Sequence, residues 1–310
     1  GSSMGAATAL MPVALSIVAH SDVSAPLACG VVVSGVIAGD NLSFISDTSV
    51  AAAAVTGTTI KMKFKESICM FLAPAMITFI ILCCITVQCT VSQSADIPMI
   101  NLIPIITVII LSIKGTSVIP VLAIGTCLSF LIGFIENLFT IAEFLAAIHA
   151  GVMNLEEMAL IAVVAGGLIG LAQDNGGIEW ICNKISSSSS SSKQSALSIA
   201  FTTILLDIVT ANNTMAIITC GPIASKICEE QNFSKTKAAS ILGYFSTITN
   251  GVVPYAGHLM AVSGLSSITP ISVIPYVFYD VIGFITGFLW LILEPEKILL
   301  FIKTRRNNND

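Results

Sequence analysis

The sequence predicts an all-α, polytopic membrane protein built from inverted-topology repeats, with hairpins and two broken helices. Three observations predict it. The 310 residues are 55% hydrophobic and only 10% charged, against about 25% charged in soluble domains, and the mean hydropathy is +0.94. Polar stretches interrupt two of the long apolar runs at depths where a membrane helix should continue. Finally, the basic residues collect in alternate loops. A soluble chain of this composition could not cover its own surface, which excludes the soluble enzymes and makes nucleic acid an unexpected partner. The net charge of −5 then carries little meaning.

Taken in order, the apolar segments span residues 5–19, 25–57, 68–88, 97–113, 117–135, 155–172, 197–210, 215–227, 238–264 and 271–293. The second is broken by Gly39-Asp40-Asn41-Leu42-Ser43-Phe44-Ile45-Ser46-Asp47-Thr48. Either side of that break is shorter than the roughly 20 helical residues a bilayer requires, whereas joined they suffice. Residues 238–264 are broken in the same way around Asn250-Gly251-Val252-Val253-Pro254-Tyr255. An amphipathic stretch between Asn137 and Asn154 predicts an interfacial helix, and Ser186–Ser192 predicts a flexible loop. Nine cysteines lie in or beside apolar segments without metal-type spacing, so they read as reduced small hydrophobes.

An internal repeat joins these elements. Sliding residues 1–50 along by 210, the register set by Pro12 and Pro222, brings Ala6, Ala14, Ile17, Ser24 and Ala28 onto Ala216, Ala224, Ile227, Ser234 and Ala238. Ser2 and Ser3 meet Asn212 and Asn213, and Asp40 falls on Asn250. With the C-terminus placed in the cytoplasm, all 13 lysines and arginines, Lys61, Lys63 and Lys65 among them, come to cytoplasmic loops. Asp22, Asp96, Glu136 and Glu143 come to the other side, and the two copies run in opposite directions. The resulting division is a first repeat over 1–93, linking helices over 94–154 and a second repeat over 155–310. The second copy has 155–210 ahead of its tip, so at least one helix and one hairpin arm are expected upstream of residue 1.

The breaks carry the candidate chemistry. A carboxylate at membrane depth costs at least about 2.5 kcal/mol on insertion scales and marks a site. Asp40 follows the first half-helix, whose terminal carbonyls favour a cation. Asp47 precedes the second half-helix, where it reads both as an ion ligand and as an ordinary N-cap. Asp207 and Asp280 are candidate proton carriers or hydrogen-bonded interior acids. His258 is a candidate pH sensor or a packing histidine. Asn250 and Tyr255 are oxygen donors by position.

The stretches "GSSMGAATALMPVAL", "GDNLSFISDTS", "LLDIVTANNTMAIITCGPI" and "STITNGVVPYAGHLMAV" resemble, in that order, the motifs of the NhaC-type sodium/proton antiporters. The resemblance implies an ion site enclosed by the hairpin tips and the two breaks. It places Ser2, Ser3, Asp40, Asn41, Ser43 and Asp47 on one side and Asn212, Asn213 and Thr214 on the other, with Asp40 and Asp47 holding the metal ion and Asn250 joining them by its position at the second break. The family often has an acid just before the second break, where this chain has Leu242-Gly243-Tyr244-Phe245; Asp207 or Asp280 then stands in for it.

The function so implied is exchange of Na⁺ for H⁺ across a bacterial cytoplasmic membrane. No cofactor is expected beyond the transported ions, and the expected partners are the lipid bilayer and a second copy in a homodimer. The alternative is a cation-coupled organic-anion exchanger of the malate/lactate type. Against it, no lysine or arginine is read at membrane depth. HExxH does not occur, and a membrane hydrolase is not expected.

Overall fold

A computed structural model describes residues 3–43, 46–85, 99–113, 118–150 and 191–293, with isolated positions between 152 and 180. Among the described residues every regular element is helical. In chain order these are α1 (Ser3–Ala19), α2 (Ala25–Asn41), α3 (Asp47–Thr56), α4 (Ile60–Cys84), a 3-10 turn (Met99–Leu102), α5 (Ile103–Ile113) and α6 (Val118–Ile135). There follow α7 (Ile141–Ala150), α8 (Ser192–Thr210), α9 (Asn213–Glu230), α10 (Lys235–Asn250), α11 (Gly257–Ser266), α12 (Pro270–Val273), a 3-10 turn (Ile274–Tyr276) and α13 (Phe278–Leu293).

Both expected breaks are present. α2 ends at Asn41 and α3 begins at Asp47; α10 ends at Asn250 and α11 begins at Gly257. Local chemistry fixes these ends. The Ser46 hydroxyl accepts from the Ser49 amide (3.2 Å) and so caps α3, while Gly57 closes it in the left-handed conformation at φ 67°. The Asn212 side chain caps α9 through the Met215 amide (3.0 Å). The N-cap of α3 is therefore Ser46, one residue earlier than expected; Asp47 is its first helical residue.

Helix α10 is the hub. Every residue from Ala238 to Asn250 is buried, and the helix packs on α2, α3, α4, α8, α9 and α13. A buried helix with this many hydroxyls must satisfy them internally. Thr249 donates to the Phe245 carbonyl (2.6 Å), Thr247 to Gly243 (2.5 Å) and Ser240 to Thr236 (2.9 Å). Glycines let its neighbours approach: a Cβ at Gly287 of α13 would lie 2.6 Å from the Tyr244 ring, and one at Gly221 of α9 would lie 2.6 Å from Val55 of α3. The Tyr244 ring stacks on Phe71 of α4 at 5.5 Å, and its hydroxyl donates to the Gly283 carbonyl (2.9 Å).

Three expectations are corrected. First, the segment expected over 68–88 begins at Ile60, because Thr59 caps the helix through the Met62 amide (3.3 Å). Lys63 is consequently a helix residue, 2% exposed, rather than part of a cytoplasmic loop. Second, the run 271–293 is not one helix, since Pro275 sits in a 3-10 turn and α13 starts only at Phe278. Third, Ser192 begins α8 and Ser191 caps it, accepting from the Gln194 amide (3.3 Å), so the end of the serine run is ordered by a helix start. Residues 181–190, Ser2 and the C-terminus lie outside the described residues.

Among the described residues no single helix is both long and apolar enough to cross a membrane. Two bent pairs reach that length together: Ile60–Ile68 with Met70–Cys84 at 48°, and Gly257–Ser266 with Pro270–Tyr276 at 99°. The expected amphipathic piece is present as α7, exposed along nearly its whole length. It opens on a capping box in which the Thr140 amide donates to Glu143 (2.7 Å) and the Glu143 amide donates to Thr140 (3.3 Å).

Chain path and contacts put several lysines at one end. The Thr58 hydroxyl meets that of Thr236 at 3.2 Å, which joins the α3–α4 corner to the start of α10. Exposed Lys61, Lys65 and Lys235 share that end, whereas α1 carries Asp22 to the other. Cysteines introduced as Lys61→Cys and Lys235→Cys should therefore react with an impermeant maleimide from one side of the membrane, and Asp22→Cys from the other. Reaction of all three from one side would overturn this arrangement.

Candidate ion-binding site

A cavity of about 390 Å³ lies where the helix ends converge. Its wall includes Ser3 from α1, Asp40 from α2, Asp47 and Thr48 from α3, Asn212–Thr214 at the α8–α9 tip, Asn250 from α10, and His258 from α11. Residues separated by more than 200 positions in sequence thus face one space. The C-termini of α2 and α10 bring partial negative charge to it, and the N-termini of α1, α3, α9 and α11 bring partial positive charge. Asp47 and Asn212 are exposed on its rim, while Asp40, Thr48, Asn250 and His258 are buried in its wall.

Asp40 is held from the far side of the break. The Thr48 hydroxyl donates to Asp40 Oδ2 at 3.4 Å, and the Ser46 and Thr48 hydroxyls lie 3.1 Å apart. Across the cavity runs a second polar chain. Ser3 Oγ lies 2.7 Å from His258 Nε2, His258 Nδ1 lies 2.6 Å from Asn250 Oδ1, and Asn250 Nδ2 donates to Asp207 Oδ1 at 3.4 Å. Because Asn250 donates through its nitrogen, its oxygen accepts, so Nδ1 of His258 carries the proton and Nε2 accepts from Ser3. Both ring nitrogens of His258 are engaged in hydrogen bonds. This also turns the lone pairs of Ser3 Oγ away from the ring.

Of the residues expected here, Ser3, Asp40, Asp47, Asn212, Asn213, Thr214, Asn250 and His258 line the cavity. Ser2 lies outside the described residues. Asn41 does not line the cavity; its side chain donates to the Tyr279 hydroxyl at 3.2 Å. Ser43 contributes its carbonyl to the Ser49 hydroxyl (3.1 Å) instead. Asp207 is fully buried just outside the wall, with Oδ2 unpartnered. Asp280, also fully buried, lies in the first turn of α13 against Gly251 and Ile37, and neither of its oxygens has a partner. Tyr255 donates to the Ile208 carbonyl (2.6 Å) and steadies the α8–α9 tip.

Sequence reasoning missed Ser46, Thr48, Ser49 and, above all, Lys63. The ammonium of Lys63 donates to Ser49 Oγ at 2.8 Å and lies 5.6 Å from the Phe71 ring centroid. A signal was available. Once residues 60–66 are helical, Lys61 and Lys65 share a face and Lys63 points some 200° away.

Among the described residues no three of His, Cys, Asp and Glu are placed so that they could hold a metal ion together. The donors around the cavity are two carboxylates with hydroxyl and amide oxygens, a hard set suited to alkali cations rather than to soft metals. The chain matches the sequence profile of the Na+/H+ antiporter family over residues 83–293, more than half its length. The chain belongs to the Na+/H+ antiporter family. Membership makes it an integral membrane protein of the cation/proton exchange class, a transporter and not an enzyme by family. The match takes in the α8–α9 tip and the second break of the antiporter-family chain, while the first break lies ahead of it. No curated protein and no solved structure matches the chain.

Proposed function

We propose that this chain exchanges Na⁺ for H⁺ at the cavity between the two breaks, with Asp40 as the residue for which the two ions compete. The observation that carries this reading is the convergence of Asp40, the Asn212–Thr214 tip and Asn250 on one space. A single carboxylate binds either a proton or a sodium ion, so loading one releases the other. Hydroxyl and amide oxygens from Ser3, Thr48, Asn213, Thr214 and Asn250 would complete a sodium shell, with Asp47 at the entrance. Asp207, joined to the wall through Asn250, is the nearer of the two candidate proton carriers. The NhaC-type assignment and the cytoplasmic-membrane location belong to this reading.

Alternating access would follow from inverted repeats. What supports that part is the matching order of elements: α1, α2, break, α3 in one half and α9, α10, break, α11 in the other. Proline occupies the tenth position of both α1 and α9. The organic-anion alternative gains nothing from the buried lysine, because Lys63 lies behind α3 and does not line the cavity.

The test is Na⁺-dependent proton flux in proteoliposomes, with Li⁺, K⁺ and malate compared in turn. Adding Na⁺ on one side should drive protons to that side, with malate without effect. Malate-driven flux in the absence of Na⁺ would overturn the reading.

A further inference from the structure

Lys63 is among the largest fully buried side chains in the molecule, 2% exposed. An ammonium ion is rarely buried this deeply without a compensating charge. Its seat is built from three helices. Ser49 of α3 accepts its hydrogen bond, Phe71 of α4 offers a ring face, and Gly243 of α10 leaves the room it occupies, since a Cβ there would lie 2.8 Å from Nζ. Charged and titratable groups on the elements packed around it are Asp40, Asp47, Tyr244, Tyr279, Asp280, Glu66, Lys61, Lys65, Lys235 and Lys237. Of these, Asp40 is joined to its seat through the break: the Ser49 amide donates to Ser46 Oγ at 3.2 Å, the Ser46 and Thr48 hydroxyls lie 3.1 Å apart, and the Thr48 hydroxyl donates to Asp40 Oδ2 at 3.4 Å. Asp47 stands between Ser46 and Thr48 in the same turn.

The charges therefore add across the break. Asp40 and Asp47 supply two negative charges and Lys63 one positive charge, so these three residues together leave a single negative charge beside the first break. We propose that Lys63 is the charge-compensating, specificity-determining residue of the cation site: fixed behind the first break by Ser49, it leaves the site matched to one monovalent cation and mismatched to a divalent one. This inference rests on the exchange reading above and deepens it. Lys63 acts through the field at the carboxylates and touches no transported ion, which makes it a positioning residue. With Lys63 neutral, two carboxylates would face the cavity uncompensated. That is a better complement to Ca²⁺, another cation that takes oxygen ligands.

The experiment is cation-dependent thermal stabilisation of the purified full chain, titrated with NaCl, CaCl₂ or MgCl₂ at constant ionic strength. Wild type and Lys63→Arg should respond to Na⁺ and be indifferent to the divalent ions. Lys63→Met should respond to Na⁺ at a concentration lower by about tenfold, the scale expected for one nearby charge in a partly screened site, and should gain a Ca²⁺ response that competes with Na⁺. A folded Lys63→Met with the wild-type Na⁺ midpoint and no Ca²⁺ response would overturn the inference and reduce Lys63 to a packing residue. Should Lys63→Met not accumulate, Lys63→Met combined with Asp47→Asn restores the single negative charge. Recovery of folded protein with monovalent preference supports the inference, and no recovery overturns it. A wild-type protein without any Na⁺ response would instead sink the exchange reading itself.

Discussion

Asp40→Asn should abolish Na⁺-dependent proton flux, to the level of protein-free liposomes, while folded protein is still recovered at a lowered thermal midpoint. The two halves of this expectation have separate causes. Asparagine keeps the shape of the side chain and an oxygen that can still accept from Thr48, so the join across the break survives. Removing the charge relieves the desolvation of the carboxylate itself but leaves the Lys63 ammonium, 2% exposed, without its compensating charge, so the thermal midpoint should fall. What disappears is the one feature exchange requires, a group that is negative when the proton leaves. Robust flux from Asp40→Asn in proteoliposomes would remove Asp40 from the centre of the mechanism. Loss of folded protein would show that the carboxylate is needed for packing instead.

The second large effect concerns α2 and pairs two substitutions of one kind. A Cβ at Gly30 would lie 2.5 Å from Tyr276 Cβ and 2.6 Å from that residue's backbone carbon and oxygen. Backbone cannot rotate aside, so Gly30→Ala must separate α2 from the 3-10 turn, at a cost of about 1–3 kcal/mol. Gly35 lies five residues on in the same helix, and a Cβ there would meet nothing within 4 Å. Gly35→Ala should therefore raise stability by roughly 0.5–1 kcal/mol through helix propensity. Thermal melts of the two variants should move in opposite directions. A parallel shift would show that propensity, not contact with Tyr276, governs the helix.

Much of this arrangement is legible in the sequence. Polar residues in the middle of apolar runs marked both breaks, because unpaired backbone at membrane depth needs a reason. The alignment that set Asp40 on Asn250 joined two residues now seen on one cavity wall. What was not legible turned on helix starts. Whether the run Lys61-Met62-Lys63 is loop or helix depends on the Thr59 cap, a weak local signal beside the strong charge pattern. That charge pattern assigned Lys61, Lys63 and Lys65 to water together. The interruption at Pro275 was lost for a related reason: hydropathy averaged over 271–293 outweighs one proline. Asp47 was read as a cap because it precedes Thr48, yet Ser46 reaches the free amide first. Side-chain direction also stayed hidden, which is why Asn41, adjacent to Asp40, was expected at the ion and instead meets Tyr279.

The burial of α10 sets a kinetic order on the molecule. A helix buried from Ala238 to Asn250, with the hydroxyls of Ser246, Thr247 and Thr249 spent on its own carbonyls, has no partial opening there that exposes only a few of its amides. Its amide hydrogens should exchange with deuterium only when most of the bundle opens. The half-helices α3 and α11, ten residues each, have rim and tip neighbours and can fray alone. Whatever motion admits an ion from one side and then the other would have to leave α10 standing, with the short halves turning about it.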